Sequence, residues 1–150
     1  MIKEFLTLIL LLFSKNSINF EETEKMRMEY FPLQKDKYLS WCGYIITKEE
    51  ELEMTLPSWI HENIHLYQAK KYGWWGWYYL NYLWDILVGI IFIWSIKGAY
   101  KTSRFELEAC VNQDKGWDYI KEVNPIKYYF TPLQRRFLWK NWENYKKILL

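Results

Sequence analysis

The chain has 150 residues, a length that suits one domain with a single sizeable core. Its formal net charge of +2 is close to neutral and gives no reason to expect a nucleic-acid partner. Hydrophobic residues make up 51% of the chain and aromatic residues 21%, which predicts either a core of large flat side chains or a surface at a membrane interface. Cys42 and Cys110 are the only cysteines, too few for a disulfide framework and compatible with a reduced, cytoplasmic setting.

The apolar N-terminal segment, residues 1–20, contains a nine-residue run from Phe5 to Phe13. This run matches the apolar part of a signal peptide in length, but it is too short to span a bilayer, which needs about 20 residues. Glu4 precedes the run, and no small-residue cleavage site follows it. Secretion is therefore the less favoured interpretation, and we expect a short helix in the core or at an interface.

A strand is predicted over residues 38–47, where aromatic and β-branched residues are frequent, with the stretch 28–33 as its pairing partner. The first helix is predicted over residues 57–72. Thr55 can serve as its N-cap, and Pro57 suits its first turn, where the missing N–H is harmless.

A second, strongly apolar helix is predicted over residues 77–96 and a third over residues 103–113. Ser103 is the N-cap of the third helix, and Glu106 occupies the capping-box position three residues later. The last helix begins at Thr131-Pro132, and one of its faces carries Leu138, Trp142, Tyr145 and Leu149. Four helices and a small antiparallel sheet predict an α+β fold in which helix is dominant.

The pentapeptide His61-Glu62-Asn63-Ile64-His65 is an H-E-x-x-H motif within the first predicted helix. Residues four apart lie one turn above each other, so both imidazoles face one side and can bind a single Zn²⁺. Glu62 projects beside the metal, where its carboxylate can take a proton from water. The chain has no other histidine. Ordinary surface or core histidines are the simpler interpretation, but the pair with Glu62 between them favours a metal site.

A zinc ion needs a third protein ligand, and a catalytic site leaves the fourth position to water. No histidine remains, so a carboxylate is required unless Cys110 serves. The best candidate stretch is SRFELEAC, in which Glu106, Ala109 and Cys110 share a helix face. The small Ala109 lets this helix approach the zinc helix closely, which favours Glu106. Glu108 is the rival ligand, but it lies about 200° around the helix from Glu106, so only one of the two can serve.

At these residues the chain resembles gluzincin-type zinc peptidases, in which H-E-x-x-H is followed by a helix carrying E-x-x-A. The segment SRFELEAC is similar to the S-R-x-x-E-x-x-A-D segment of zinc peptidases that process CAAX proteins and of their bacterial heat-shock relatives. It also resembles the F-E-x-E-A segment of short H-E-x-x-H proteins, which often carry Gln three residues after the second His, as Gln68 does here. The resemblance implies a minimal gluzincin (zincin-like) core with Glu106 as third ligand and Glu62 as general base. Cys110 departs from the pattern, since the CAAX-processing enzymes have Asp there.

The predicted helix at residues 77–96 is long and apolar enough to cross a membrane. It lies between His65 and Glu106, so a crossing would place these two ligands on opposite sides of a layer about 30 Å thick. Asn81 and Asp85 also interrupt its apolar surface. We therefore expect a core helix, and contact with a membrane surface stays open.

We expect a single metallopeptidase-like domain over residues 1–150, cytoplasmic or peripherally associated with a membrane, that hydrolyses a peptide or protein substrate. Zn²⁺ held by His61, His65 and Glu106 would polarise the scissile carbonyl, and Glu62 would carry a proton from water to the leaving amine.

Two other functions stay open. One is a protein that binds the metal without turnover, because the sequence places no clear group to stabilise the transition state. The other is a membrane-surface protein whose aromatic helices matter more than the motif. Tyr100 is a candidate hydrogen-bond donor to the transition state, but packing is the simpler role for one of thirteen Tyr.

Overall fold

The computed structural model describes residues 2–12, 25–27, 39–47, 55–120 and 122–149. Helices predominate and a small sheet accompanies them, so the predicted helix-dominant α+β class is confirmed. The helices are α1 (Ile2–Leu11), α2 (Leu56–Lys71), α3 (Trp75–Ile93), α4 (Ile96–Lys101), α5 (Arg104–Asn112), α6 (Trp117–Ile120), α7 (Pro132–Lys140) and α8 (Trp142–Leu149). Short 3₁₀ turns follow α5 and α6, at Gln113–Lys115 and Pro125–Tyr128.

The sheet consists of β1 (Lys25–Arg27), β2 (Leu39–Trp41) and β3 (Tyr44–Thr47), in the order β1-β3-β2. β2 and β3 are antiparallel, and β1 joins β3 in parallel. The prediction of one strand over residues 38–47 is wrong, because the chain reverses at Cys42 and Gly43, whose φ angles are 48° and 96°. Two central residues with positive φ suit the tight turn of a two-residue hairpin. The predicted partner stretch, residues 28–33, lies outside the described residues.

The N-terminal apolar run forms most of α1, which packs against the hairpin of β2 and β3. Leu8 is buried against Ile46, and its carbonyl oxygen accepts a hydrogen bond of 2.9 Å from Trp41 Nε1. Leu6 and Leu10 are exposed. This helix therefore buries part of its apolar surface in the fold and leaves the rest uncovered.

The two helices that carry the predicted metal ligands begin at their predicted caps. The Thr55 side chain accepts a hydrogen bond from Ser58 N–H and opens α2, which ends just before Gly73. The Ser103 hydroxyl accepts a hydrogen bond of 3.2 Å from Glu106 N–H and opens α5. Caps of this kind stabilise a helix by about 1 kcal/mol and fix where it starts, hence which way its side chains point.

Close packing of α2 on α5 brings the two sets of ligands together. Ala109 of α5 is fully buried and lies in one core cluster with Ile60 and Ile64 of α2. Ala109 adds only a methyl group to this contact, so α5 can lie close to α2 and side chains one turn away on α5 can reach across to it. The close approach predicted at Ala109 is therefore confirmed.

The apolar run that was predicted as one helix over residues 77–96 forms two helices. Trp94 adopts a left-handed backbone with φ of 59°, which ends α3, and Ser95 caps the short α4. Within the part of the chain that the structure describes, α3 alone is long and apolar enough to cross a membrane. One of its faces packs onto the fold through Tyr78 and Asp85, which are buried.

Arg135 of α7 links its own helix to α3 and α4 at this buried face of α3. It donates hydrogen bonds of 2.7 Å to the carbonyl oxygens of Asp85 and Ala99, and its Nη1 atom lies 3.4 Å from Asp85 Oδ1. The predicted start of the last helix at Thr131 is confirmed, but the helix divides at Asn141 into α7 and α8.

Candidate metal centre

His61, His65 and Glu106 meet where α2 packs against α5. The Nε2 atoms of the two histidines are 3.2 Å apart, and His65 Nε2 lies 3.2 Å from Glu106 Oε1. His61 Nε2 lies 3.7 Å from Glu106 Oε2. Neighbouring ligand atoms around a tetrahedral zinc with bonds of 2.0–2.1 Å are about 3.3 Å apart. The three side chains thus present their atoms at nearly the spacing that one zinc ion requires.

The second ring nitrogen of each histidine has its own polar partner. His65 Nδ1 lies 2.9 Å from Gln68 Oε1, and His61 Nδ1 lies 3.2 Å from Gln113 Oε1. An amide oxygen only accepts, so each Nδ1 donates its proton outwards and each Nε2 faces the site. Such outer partners fix the ring orientation and the tautomer that a metal ligand needs. The residues present therefore fit a zinc ion.

Glu108 holds Gln68 in place instead of facing the histidines. Gln68 Nε2 donates a hydrogen bond of 3.0 Å to Glu108 Oε2, which orients Gln68 Oε1 towards His65. Glu108 is fully buried, and its Oε1 atom accepts hydrogen bonds from Tyr119 OH and from Asn124 N–H. The two candidate carboxylates thus have different neighbours. Glu106 faces the histidine pair, whereas Glu108 is hydrogen-bonded to Gln68, the polar partner of His65.

The charges at the site are strongly coupled. Burial alone would raise the pKa of Glu106, but His65, His61 and a 2.6 Å hydrogen bond from Tyr82 lower that pKa to about 2. Burial alone would lower the pKa of His65, but the Glu106 carboxylate raises it to about 9. For His61 burial dominates, and its pKa is lowered. A divalent cation that binds here at neutral pH must therefore displace a proton from His65.

Glu62 lies beside the histidine pair and is held by the hairpin. Ser40 Oγ of β2 lies 2.6 Å from Glu62 Oε2 and 2.8 Å from the Glu62 carbonyl oxygen, so its single proton can serve either acceptor. The Glu62 carboxylate is close enough to interact electrostatically with both His61 and His65. A residue of the sheet thus helps to hold the predicted general base, which itself belongs to α2.

Among the residues that the structure describes, Cys110 is the remaining side chain of metal-ligating type at this site. Its Sγ atom lies within 4.8 Å of ligand atoms of His61 and Glu106. This trio is looser than that of His61, His65 and Glu106, in which neighbouring ligand atoms are 3.2–3.7 Å apart. Burial, with a contribution from Glu106, raises the pKa of the Cys110 thiol to about 11, so the thiol is neutral unless a metal displaces its proton.

Two tyrosines of α3 belong to the site although the sequence did not single them out. Tyr82 OH donates to Glu106 Oε1 at 2.6 Å, and Tyr78 OH donates to Gln68 Oε1 at 3.2 Å. They lie one helical turn apart, on the face that also buries Asp85. This spacing was the one available signal, and in a chain with thirteen Tyr it is weak.

Comparisons of the chain with protein-family models, with curated proteins and with solved structures find no match. The contacts of the site residues define a candidate metal centre: two histidines and a buried carboxylate at ligand spacing, with a second carboxylate beside them.

Proposed function

We propose that the protein is a zinc-dependent hydrolase of peptide bonds. The observation that carries this proposal is the convergence of His61, His65 and Glu106 at ligand spacing, with Glu62 beside them. Three protein ligands that leave a fourth position open are typical of catalytic rather than structural zinc. The resemblance to gluzincin-type peptidases supports the same reaction.

Each residue of the site has a role in this reaction. His61, His65 and Glu106 would hold the ion, and a bound Zn²⁺ supplies Lewis-acid chemistry by acidifying a water and polarising a carbonyl. Glu62 accepts the proton of the attacking water and passes it to the leaving amine. Ser40 keeps the Glu62 carboxylate in position during both transfers.

Tyr100 of α4 is the side chain best suited to stabilise the transition state. It lies at the rim of the site, 38% exposed, and interacts with the Glu106 carboxylate. Burial and the nearby Glu106 charge raise the pKa of Tyr100, so its phenol keeps its proton at neutral pH. A protonated phenol can donate a hydrogen bond to the oxyanion that forms when water attacks the carbonyl.

Zinc-loaded protein is expected to cleave members of a random peptide library, with the products detected by mass spectrometry. The chelator ortho-phenanthroline is expected to stop cleavage and added Zn²⁺ to restore it, because the reaction needs the ion. The meta isomer, which does not chelate, is the control. Absence of cleavage by zinc-loaded protein across the library would contradict the hydrolase, and cleavage that survives chelation would contradict the zinc mechanism.

Cys110 favours a second candidate, a protein that binds zinc without turnover. Its Sγ atom lies within 4.8 Å of two of the ligand atoms. If its side chain turned towards the ion, the thiolate would fill the fourth position and close the site to water, as in structural zinc sites.

Cobalt substitution distinguishes the two candidates, because a Co²⁺–thiolate bond gives a near-ultraviolet charge-transfer band that imidazole and carboxylate ligands do not give. For a hydrolase with an open site, we expect no such band in the Co²⁺ protein and no spectral change in Cys110→Ser. The buried Cys42 provides the matched control. A band that is lost in Cys110→Ser but kept in Cys42→Ser would establish the closed site instead.

A further inference from the structure

The side of α3 that does not face the metal centre is exposed and strongly apolar. Large apolar residues recur along this face at helical spacing and are each at least 40% exposed: Trp77, Leu80, Leu83, Trp84, Leu87, Ile91 and Phe92. Only 22% of the most apolar stretch of α3 is buried. On a helix about 28 Å long, this face exceeds the scattered apolar residues of an ordinary soluble surface.

This α3 face continues past the end of the helix towards the metal centre. Trp94 is 87% exposed, and Ile96, at the start of α4, is 73% exposed. One turn further along α4 is Tyr100, which interacts with Glu106. The exposed apolar surface therefore reaches the rim of the candidate site.

The exposed charge along this segment is positive. Asp85 is the only acidic residue between positions 75 and 101, and it is buried with Arg135. Lys97 and Lys101 of α4 follow the α3 face directly. Exposed tryptophans lie along this face and just beyond its end, at Trp77, Trp84 and Trp94, and indole side chains are enriched at the headgroup level of membranes.

The contacts of α3 favour a position along the membrane surface over a crossing of the bilayer. His65 precedes α3 and Glu106 follows it, yet their side chains are 3.2 Å apart. The opposite face of α3 is covered, because Tyr78 and Tyr82 pack into the metal centre. One face is thus available to lipid and the other is part of the core.

We propose that the α3 face lies along the surface of an anionic lipid bilayer. Its indole and aliphatic side chains would enter the boundary between headgroups and acyl chains, and Lys97 and Lys101 would contact lipid phosphates. A second copy of the chain is a poorer occupant, because it brings the same positive charge as Lys97 and Lys101, whereas an anionic bilayer brings the opposite charge. Peptide segments held at a membrane surface are then the substrate class, an inference that rests on the proposed hydrolase.

Co-sedimentation of the full chain with vesicles of phosphatidylcholine and phosphatidylglycerol tests this placement. The wild type is expected to sediment with the vesicles, and Trp84→Glu with Ile91→Glu to reduce the partition coefficient at least about tenfold, because two charges enter the apolar contact. The matched control, Leu56→Glu with Ile126→Glu, adds the same charge at exposed positions outside α3 and should bind like the wild type. Trp94→Gly removes an exposed indole at a left-handed backbone position that glycine favours, so it should weaken binding while keeping the fold.

A wild type that stays in the supernatant, or a control pair that loses as much binding as the α3 pair, would overturn the proposal. The proposal would also be overturned if the wild type did not bind vesicles and instead formed a dimer that the Trp84→Glu, Ile91→Glu variant converts to monomers. Zinc content, measured on the same samples, should not differ between the wild type and the α3 pair. Failure of membrane docking and failure of the metal centre therefore give different results.

Discussion

The purified protein is expected to hold about one Zn²⁺ per chain, and His65→Ala is expected to hold none. His65 Nε2 lies 3.2 Å from both His61 Nε2 and Glu106 Oε1, so its loss leaves two ligands and removes the centre of the cluster. His61→Ala should have the same effect. Elemental analysis after dialysis against zinc-containing and then zinc-free buffer measures the stoichiometry. A wild type that holds no metal after zinc addition would contradict the metal centre.

The two carboxylates of α5 provide the internal control for this result. Glu108→Gln is expected to weaken zinc binding by about 10- to 100-fold, because it disturbs Gln68 and through it the orientation of His65. Glu106→Gln should weaken binding more, because it removes the ligand itself. Both residues are buried and two positions apart, so the comparison separates coordination from general damage to the fold. A larger loss in Glu108→Gln than in Glu106→Gln would reverse their roles.

Much of the metal centre could be predicted because its determinants are local. The spacing of His61 and His65 follows from one helical turn, and Thr55 and Ser103 mark where each helix begins. Ala109 indicated the close approach of α5, since only a small residue permits it. Each of these signals lies within a few residues of the feature that it determines.

The side chains that hold the site residues in place make contacts that no local sequence pattern encodes. Glu108 reaches Gln68 across 40 positions, and Ser40 reaches Glu62 across 22. Such pairs arise from the packing of distant elements, and a sequence rich in Tyr, Glu and Gln offers many candidates for each. The hairpin was missed for a different reason: Cys42 and Gly43 form its turn inside a run of strand-forming residues, and the run outweighed the single Gly.

The helix predicted over residues 77–96 shows how composition can mislead about boundaries. Its apolar residues continue through Trp94 and Ile96, so hydropathy alone gives no stop. The stop comes from backbone conformation at Trp94 and from the Ser95 cap of α4. This break lets α4 fold back along α3 and return the chain to the metal centre at Glu106.

Glu62→Gln is expected to retain zinc and to lose peptide hydrolysis by a factor of about 10² to 10⁴. An amide oxygen can still accept the hydrogen bond from Ser40, so the side chain keeps its place next to the histidines. It cannot accept the proton of the attacking water, which is the step assigned to the carboxylate. The measurement is the cleavage rate of a library-derived peptide, with zinc content determined on the same sample.

Two further variants serve as controls for the Glu62→Gln result. Glu122→Gln makes the same change of charge at an exposed position and should cleave at the wild-type rate. Ser40→Ala keeps the Glu62 carboxylate but removes the hydroxyl that holds it, so its loss of activity should be smaller than that of Glu62→Gln. Wild-type turnover by zinc-loaded Glu62→Gln would show that another group accepts the proton. Loss of zinc from this variant would instead mean that the negative charge of Glu62 helps to hold the metal, directly or through its interaction with His61 and His65.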